Sequence, residues 1–127
     1  MRHYAYFFTR QDISPEYQVV QTAHAAFQLG VFSQHGTPYE GDGIVSPPQL
    51  HGMQIDPRET YFTVVGVRNL TALNAVELIL NKFGFAYEAF FEPDLNGGEH
   101  TSIAVYPIAE DKKGPLDAFN LLTIGRR

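Results

Sequence analysis

The chain has 127 residues, enough for one domain with a sizeable core, and its 44% hydrophobic and 13% aromatic content excludes a disordered chain. It has no cysteine, which excludes disulfides and thiolate metal sites and is compatible with a reducing compartment. Nine basic and fourteen acidic residues give a net charge of −5, which counts against the broad basic surface by which nucleic-acid binders displace counterions.

His3 to Thr9 reads as a strand, aromatic and without a breaker, and its nearly continuous apolar character suits burial on both faces. Ser14 to about Phe32 reads as the first helix, with Ser14 as cap and Pro15 in the first position, where a proline loses no useful donor. Val19, Val20, Ala23, Ala26, Phe27 and Val31 form its expected apolar part, with the alanines packed closely on a sheet and Gly30 near its end. Tyr17, Gln21, His24 and Gln28 recur at helical spacing and share a polar face. Ser33 to Pro57 holds four prolines, four glycines and two of the five histidines. It reads as a long surface excursion or, in a sharper version, as a lid or an oligomer contact.

Thr60 to Val67 is the second strand. Asn69 or Thr71 caps a second helix with Leu73, Val76, Leu80 and Phe83 as its apolar stripe and Gly84 as its stop. Phe85 to Phe91 and Thr101 to Pro107 are the third and fourth strands, joined through the turn signal Asn96–Gly97–Gly98. The tail over 108–127, with Leu116 and Phe119, docks on the core as a short helix or an added edge strand. The order β-α-β-α-β-β predicts a single-domain α/β protein with a small mixed sheet of about four strands and helices packed on it. No apolar run is long enough to span a bilayer and no signal-like pattern opens the chain, so no membrane partner and a cytoplasmic location are expected.

Several residues could carry chemistry. Gln21 and His24 lie one turn apart just past the end of a strand, where α/β proteins keep ligand sites. Gln21 offers both a donor and an acceptor, and His24 reads either as a site residue or as a packed helix histidine. Glu92 and Asp94 end the third strand, with Glu99 and His100 across the turn. They could form an acid/base pair or a metal group, or an acidic loop kept soluble by charge. Thr101 could hydrogen-bond a carboxylate or serve as a good strand former. Arg10 is the best-placed cation for a phosphate, Asp12 suits a turn or cap, and Tyr17 could stack on a base or ribose. No P-loop, GxGxxG, GxSxG, HExxH or compact metal-ligand motif is present, so neither metal nor cofactor is expected.

The stretch from Arg10 to Ala25 resembles the type II peptidyl-tRNA hydrolase family. Members of that family have an Arg-x-Asp-Leu strand end followed by a helix reading Ser-x-Gly-Lys-x-x-x-Gln-x-x-His-Ala. Arg10, Asp12 and Ile13 match the strand end, and Ser14, Gln21, His24 and Ala25 match the helix, across a turn two residues shorter. Tyr17 stands where the family has its helix lysine, and Glu16 where it has glycine. A second block, Glu92 to Thr101, is similar in kind to the family's Asp-Ala-Gly-x-Thr. The resemblance implies a type II peptidyl-tRNA hydrolase-like fold and metal-free hydrolysis of the ester between a peptide and a tRNA 3′ end. In that reading Gln21 and His24 position substrate and water, Glu92 or Asp94 assists as base, and Thr101 orients the carboxylate.

Two further readings stand beside it. One is a non-catalytic binding protein on the same scaffold, holding a nucleotide or other small polar ligand with Tyr17 stacking and Arg10 on phosphate. The other is an oligomeric interaction module. The expected partners are accordingly a tRNA 3′ end or a small nucleotide-like ligand, and a second copy of the chain as a homodimer.

Overall fold

A computed structural model of the chain describes residues 2–35 and 57–119. Five strands and two helices follow in the order β1 (His3–Arg10), α1 (Pro15–His35), β2 (Thr60–Val67), α2 (Leu70–Lys82), β3 (Tyr87–Glu92), β4 (Glu99–Val105) and β5 (Ile108–Ala109). The expected order is reproduced, with one short strand added. The strands make a mixed sheet ordered β2-β1-β4-β3. β1 pairs with β2 in parallel and with β4 antiparallel, and β5 meets the start of β1 at Tyr4 and His3. β1 is therefore central, and six of its eight residues are buried.

Alternation along β1 separates two cores. Tyr6 and Phe8 face α2 and pack with Val65, Leu73, Val76, Leu80, Ile103 and Val105. Ala5 and Phe7 face α1 and meet Ala25 and Ala104, with Leu29 and Phe90 at the margin. The sheet thus lies between its two helices. The first core is large and aliphatic; the second is thin and small-sided, which lets α1 approach closely.

α2 begins where Asn69 accepts a hydrogen bond from the Ala72 N–H at 3.0 Å. It ends at Lys82, and Phe83 is the cap and half exposed rather than the last member of the buried stripe. Gly84 takes φ +74° and its N–H reaches the Asn81 carbonyl, while the Phe85 N–H reaches that of Leu80. This pair of bonds is a Schellman closure, and it uses up Phe85, so β3 starts two residues later than expected. β4 starts two residues earlier, because the hairpin turn closes within Pro93–Gly98. α1 runs through Gly30 to His35: one helical glycine costs only about 1 kcal/mol, and Leu29 and Phe32 on either side of it are half-buried. After β5 two short 3-10 turns follow, and Leu116 in the second is buried against the α2-side core, joined by Phe119. Positions 36–56 of the expected excursion, and 120–127 of the expected tail, lie outside the described residues.

Candidate active site between helix α1 and the β3–β4 hairpin

Helix α1 turns toward the sheet part of the face that its composition assigns to solvent. Gln18, Gln21 and Ala25 are buried against the strands, whereas Val19, Val20, Phe27 and Val31 are exposed. The expectation that the valines and Phe27 form the packed part is thus corrected. The reason lies across the interface, where the sheet offers Ala5, Thr9, Ala104 and Ser102. These are small or hydroxylic side chains, and they leave room for the glutamines and give Thr22 a partner in Thr9. Thr22 donates to the Gln18 carbonyl at 2.8 Å. Each hydroxyl has one proton, so the contacts from Thr9 to Thr22 (2.6 Å) and to Ser102 (2.9 Å) order themselves: Ser102 donates to Thr9, and Thr9 to Thr22.

A second chain of bonds crosses the same interface nearer the strand ends. Thr101 Oγ1 donates to Gln21 Oε1 at 2.6 Å, and Gln21 Nε2 donates to Glu92 Oε2 at 3.1 Å. The other carboxylate oxygen of Glu92 accepts from the Asp94 N–H at 3.1 Å. Gln21 and Thr101 are fully buried, and Glu92 retains 7% exposure. Among the described residues no cation pairs with Glu92.

Local backbone geometry aims these groups. Phe90 pairs with Ser102 but Phe91 with His100, so Thr101 is the extra residue of a β-bulge. Strict alternation would send Thr101 and Ser102 to opposite faces. With the bulge, both hydroxyls reach the α1 side, one to Gln21 and one to Thr9. The hairpin turn passes through Asn96, Gly97 and Gly98, all at positive φ, and a side chain on Gly98 would collide with the Phe91 ring.

Arg10 ties this hairpin to the strand end. Its guanidinium grips Asp12 through Nε and Nη2, at 2.9 and 2.8 Å. Nη1 donates to Glu99 Oε1 at 2.8 Å and to the His100 carbonyl at 3.1 Å. The hydrogen bonds from Arg10 hold the Asp12 and Glu99 carboxyls below their ordinary range, and those bonds in turn hold the guanidinium protonated. At 4% exposure, with its fork occupied by two carboxylates, Arg10 acts here as a clamp on the hairpin.

Of the residues singled out from sequence, Gln21, Glu92 and Thr101 come together in one hydrogen-bonded unit, and Arg10 and Asp12 in another. Asp94 contributes its backbone N–H to the first unit while its side chain faces solvent. His24 is exposed one turn beyond Gln21, its ring edge-on to Phe90 at 4.7 Å. Tyr17 is half-buried in the first turn of α1, where its N–H meets Ser14 Oγ at 3.3 Å. Thr9, Thr22, Ser102 and Gln18 were invisible as a network, because only long-range pairing unites them. Glu99 and His100 join the clamp, and among the described residues no cluster of three metal-ligating side chains occurs.

The architecture defines a mixed α/β protein with a five-stranded sheet between helices and a buried carboxylate–amide–hydroxyl unit at one end. No helix among the described residues is long and apolar enough to cross a membrane. No protein-family model matches the chain, and no curated protein does. Among solved structures it is similar to Atu0240 of Agrobacterium tumefaciens strain C58, a protein of unknown function. The TM-score is 0.58 at 15% identity, over 97% of this chain and 99% of that one. At this identity the likeness establishes the fold.

Proposed function

We propose that the chain is an ester hydrolase of the peptidyl-tRNA hydrolase kind, on a type II peptidyl-tRNA hydrolase-like fold, with Glu92 as its general base. The observation that carries this reading is the link from Thr101 through Gln21 to Glu92, which joins β4, α1 and β3. A carboxylate held by one amide and one backbone N–H keeps lone pairs for a water. That water's oxygen bonds to the ester carbonyl carbon as Glu92 takes its proton. The tetrahedral intermediate then collapses, the bond to the ribose oxygen breaks, and the leaving oxygen receives the proton from Glu92. Glu92 fixes the amide orientation of Gln21, since a carboxylate acting as base only accepts and so faces the amide nitrogen, which turns Oε1 to the Thr101 hydroxyl. His24, on the same flank of α1, positions the substrate. Tyr17 replaces a fixed cation with a ring that can stack and one hydroxyl donor.

The test is hydrolysis of a short peptidyl-tRNA by the purified chain beside Glu92→Gln and Tyr17→Lys. Turnover is expected from the unaltered protein, with a loss of about 10²–10⁴-fold in Glu92→Gln. Tyr17→Lys is expected to be faster, through added charge at the helix start. Undiminished turnover in Glu92→Gln overturns the role of Glu92. A stable complex without turnover in any of the three moves the reading to a binding protein on the same scaffold.

A further inference from the structure

Helix α1 spans 21 residues and carries one carboxylate, Glu16 in its first turn, and no lysine or arginine. Its outward face presents Val19, Val20, Phe27 and Val31 at 52, 43, 75 and 37% exposure, and Phe62 of the edge strand β2 adds 66%. These five side chains expose roughly 400–500 Å² of apolar surface, the size of the largest patch on a typical single protein, which is often functional.

The geometry points to a two-fold dimer in which α1 packs antiparallel on α1 of a second copy. Three observations select a second copy as the occupant. The first is self-complementarity. Phe27 stands out as a knob, and a groove of about 400 Å³ lies beside it, walled by Val19, Ala23, Ala26 and Phe62. In an antiparallel pair centred on Ala23, the residue four positions after the centre lies opposite the residue four positions before it. Phe27 of each copy therefore meets the wall at Val19 of the other, as an isologous contact requires. Ala23 at the centre is small enough for the two helices to approach closely.

The second observation is charge. The protein carries −5 overall, and copies repel wherever their carboxylates face one another. The outward face of α1 beyond its first turn has no ionised carboxylate, so the copies meet there without that cost. The third is area: two such faces together remove roughly 800–1,000 Å² from water, which at its upper end meets the threshold of about 1,000 Å² for a specific interface. This dimer does not depend on the hydrolase reading, since neither Glu92 nor Thr101 enters it.

Sedimentation or light scattering of the full chain over roughly 1–100 μM should give a mass twice the 14.3 kDa of one copy. Phe27→Glu and, separately, Val19→Glu should return it to one copy with the circular dichroism of the folded protein retained. The chain has no cysteine, so Ala23→Cys supplies a single thiol, and mild oxidation should link two copies across the axis. A monomer at every concentration overturns the proposal and leaves the face to a different occupant. A dimer that survives both glutamate variants overturns this placement, and a dimer that Ala23→Cys does not cross-link overturns the antiparallel register.

Discussion

Thr101 is needed for its hydroxyl and not only for its shape. Its hydroxyl gives Gln21 Oε1 a hydrogen bond where neither group reaches water. Valine would fill the same volume and leave that oxygen unpaired, a penalty of about 1–3 kcal/mol. We expect Thr101→Val to lower the free energy of unfolding by that amount in urea titration and to slow any hydrolysis, because the amide loses one of the two contacts that hold it. A serine at 101 keeps the hydroxyl and should recover most of both. The same reasoning separates the two acids of the Glu92–Asp94 pair. Glu92 is held on both oxygens, while the Asp94 side chain is in solvent, so only Glu92 has a fixed geometry to lose.

Elements whose ends are set by local chemistry were readable in advance. The Asn69 cap and the Gly84 stop both fall where their residue types demand. Gly84→Ala should cost about 1 kcal/mol by thermal or urea unfolding, because a Cβ is disfavoured at positive φ even though the space around it is open. The facing of α1 was not readable. A helix pattern records which residues alike in polarity share a side, but not which side meets the sheet. That choice was made by Thr9, Thr101 and Ser102, which give Gln21 and Thr22 partners from other parts of the chain. The bulge at Thr101 was equally hidden. One unpaired residue leaves the β-rich composition of 99–105 unchanged, yet it decides which face the threonine serves. The site was therefore legible as a set of residue types, and its geometry was not.

For the molecule as a whole, acid should undo the Arg10 clamp before neutral pH affects it. The Asp12 and Glu99 carboxyls sit below their ordinary values in the folded protein, so the unfolded chain binds more protons as pH drops. The stability they supply is complete above their ordinary range, near pH 4–5, and fades as pH falls through the lowered folded values. Asp12→Asn should flatten the acid limb of a plot of urea midpoint against pH and leave its slope between pH 6 and 8 unchanged.

The sheet order carries a consequence for biosynthesis. β1 leaves the ribosome long before β4, and the residues joined across them, Thr9 and Ser102, are 93 positions apart. Until β4 is made, β2 alone among the described strands can pair with β1, through a parallel register that is slow to close. A nascent chain of about ninety residues would thus display Phe7 and Phe8 on a strand with one flank open, the kind of exposed edge that chaperones bind and that other nascent chains can capture.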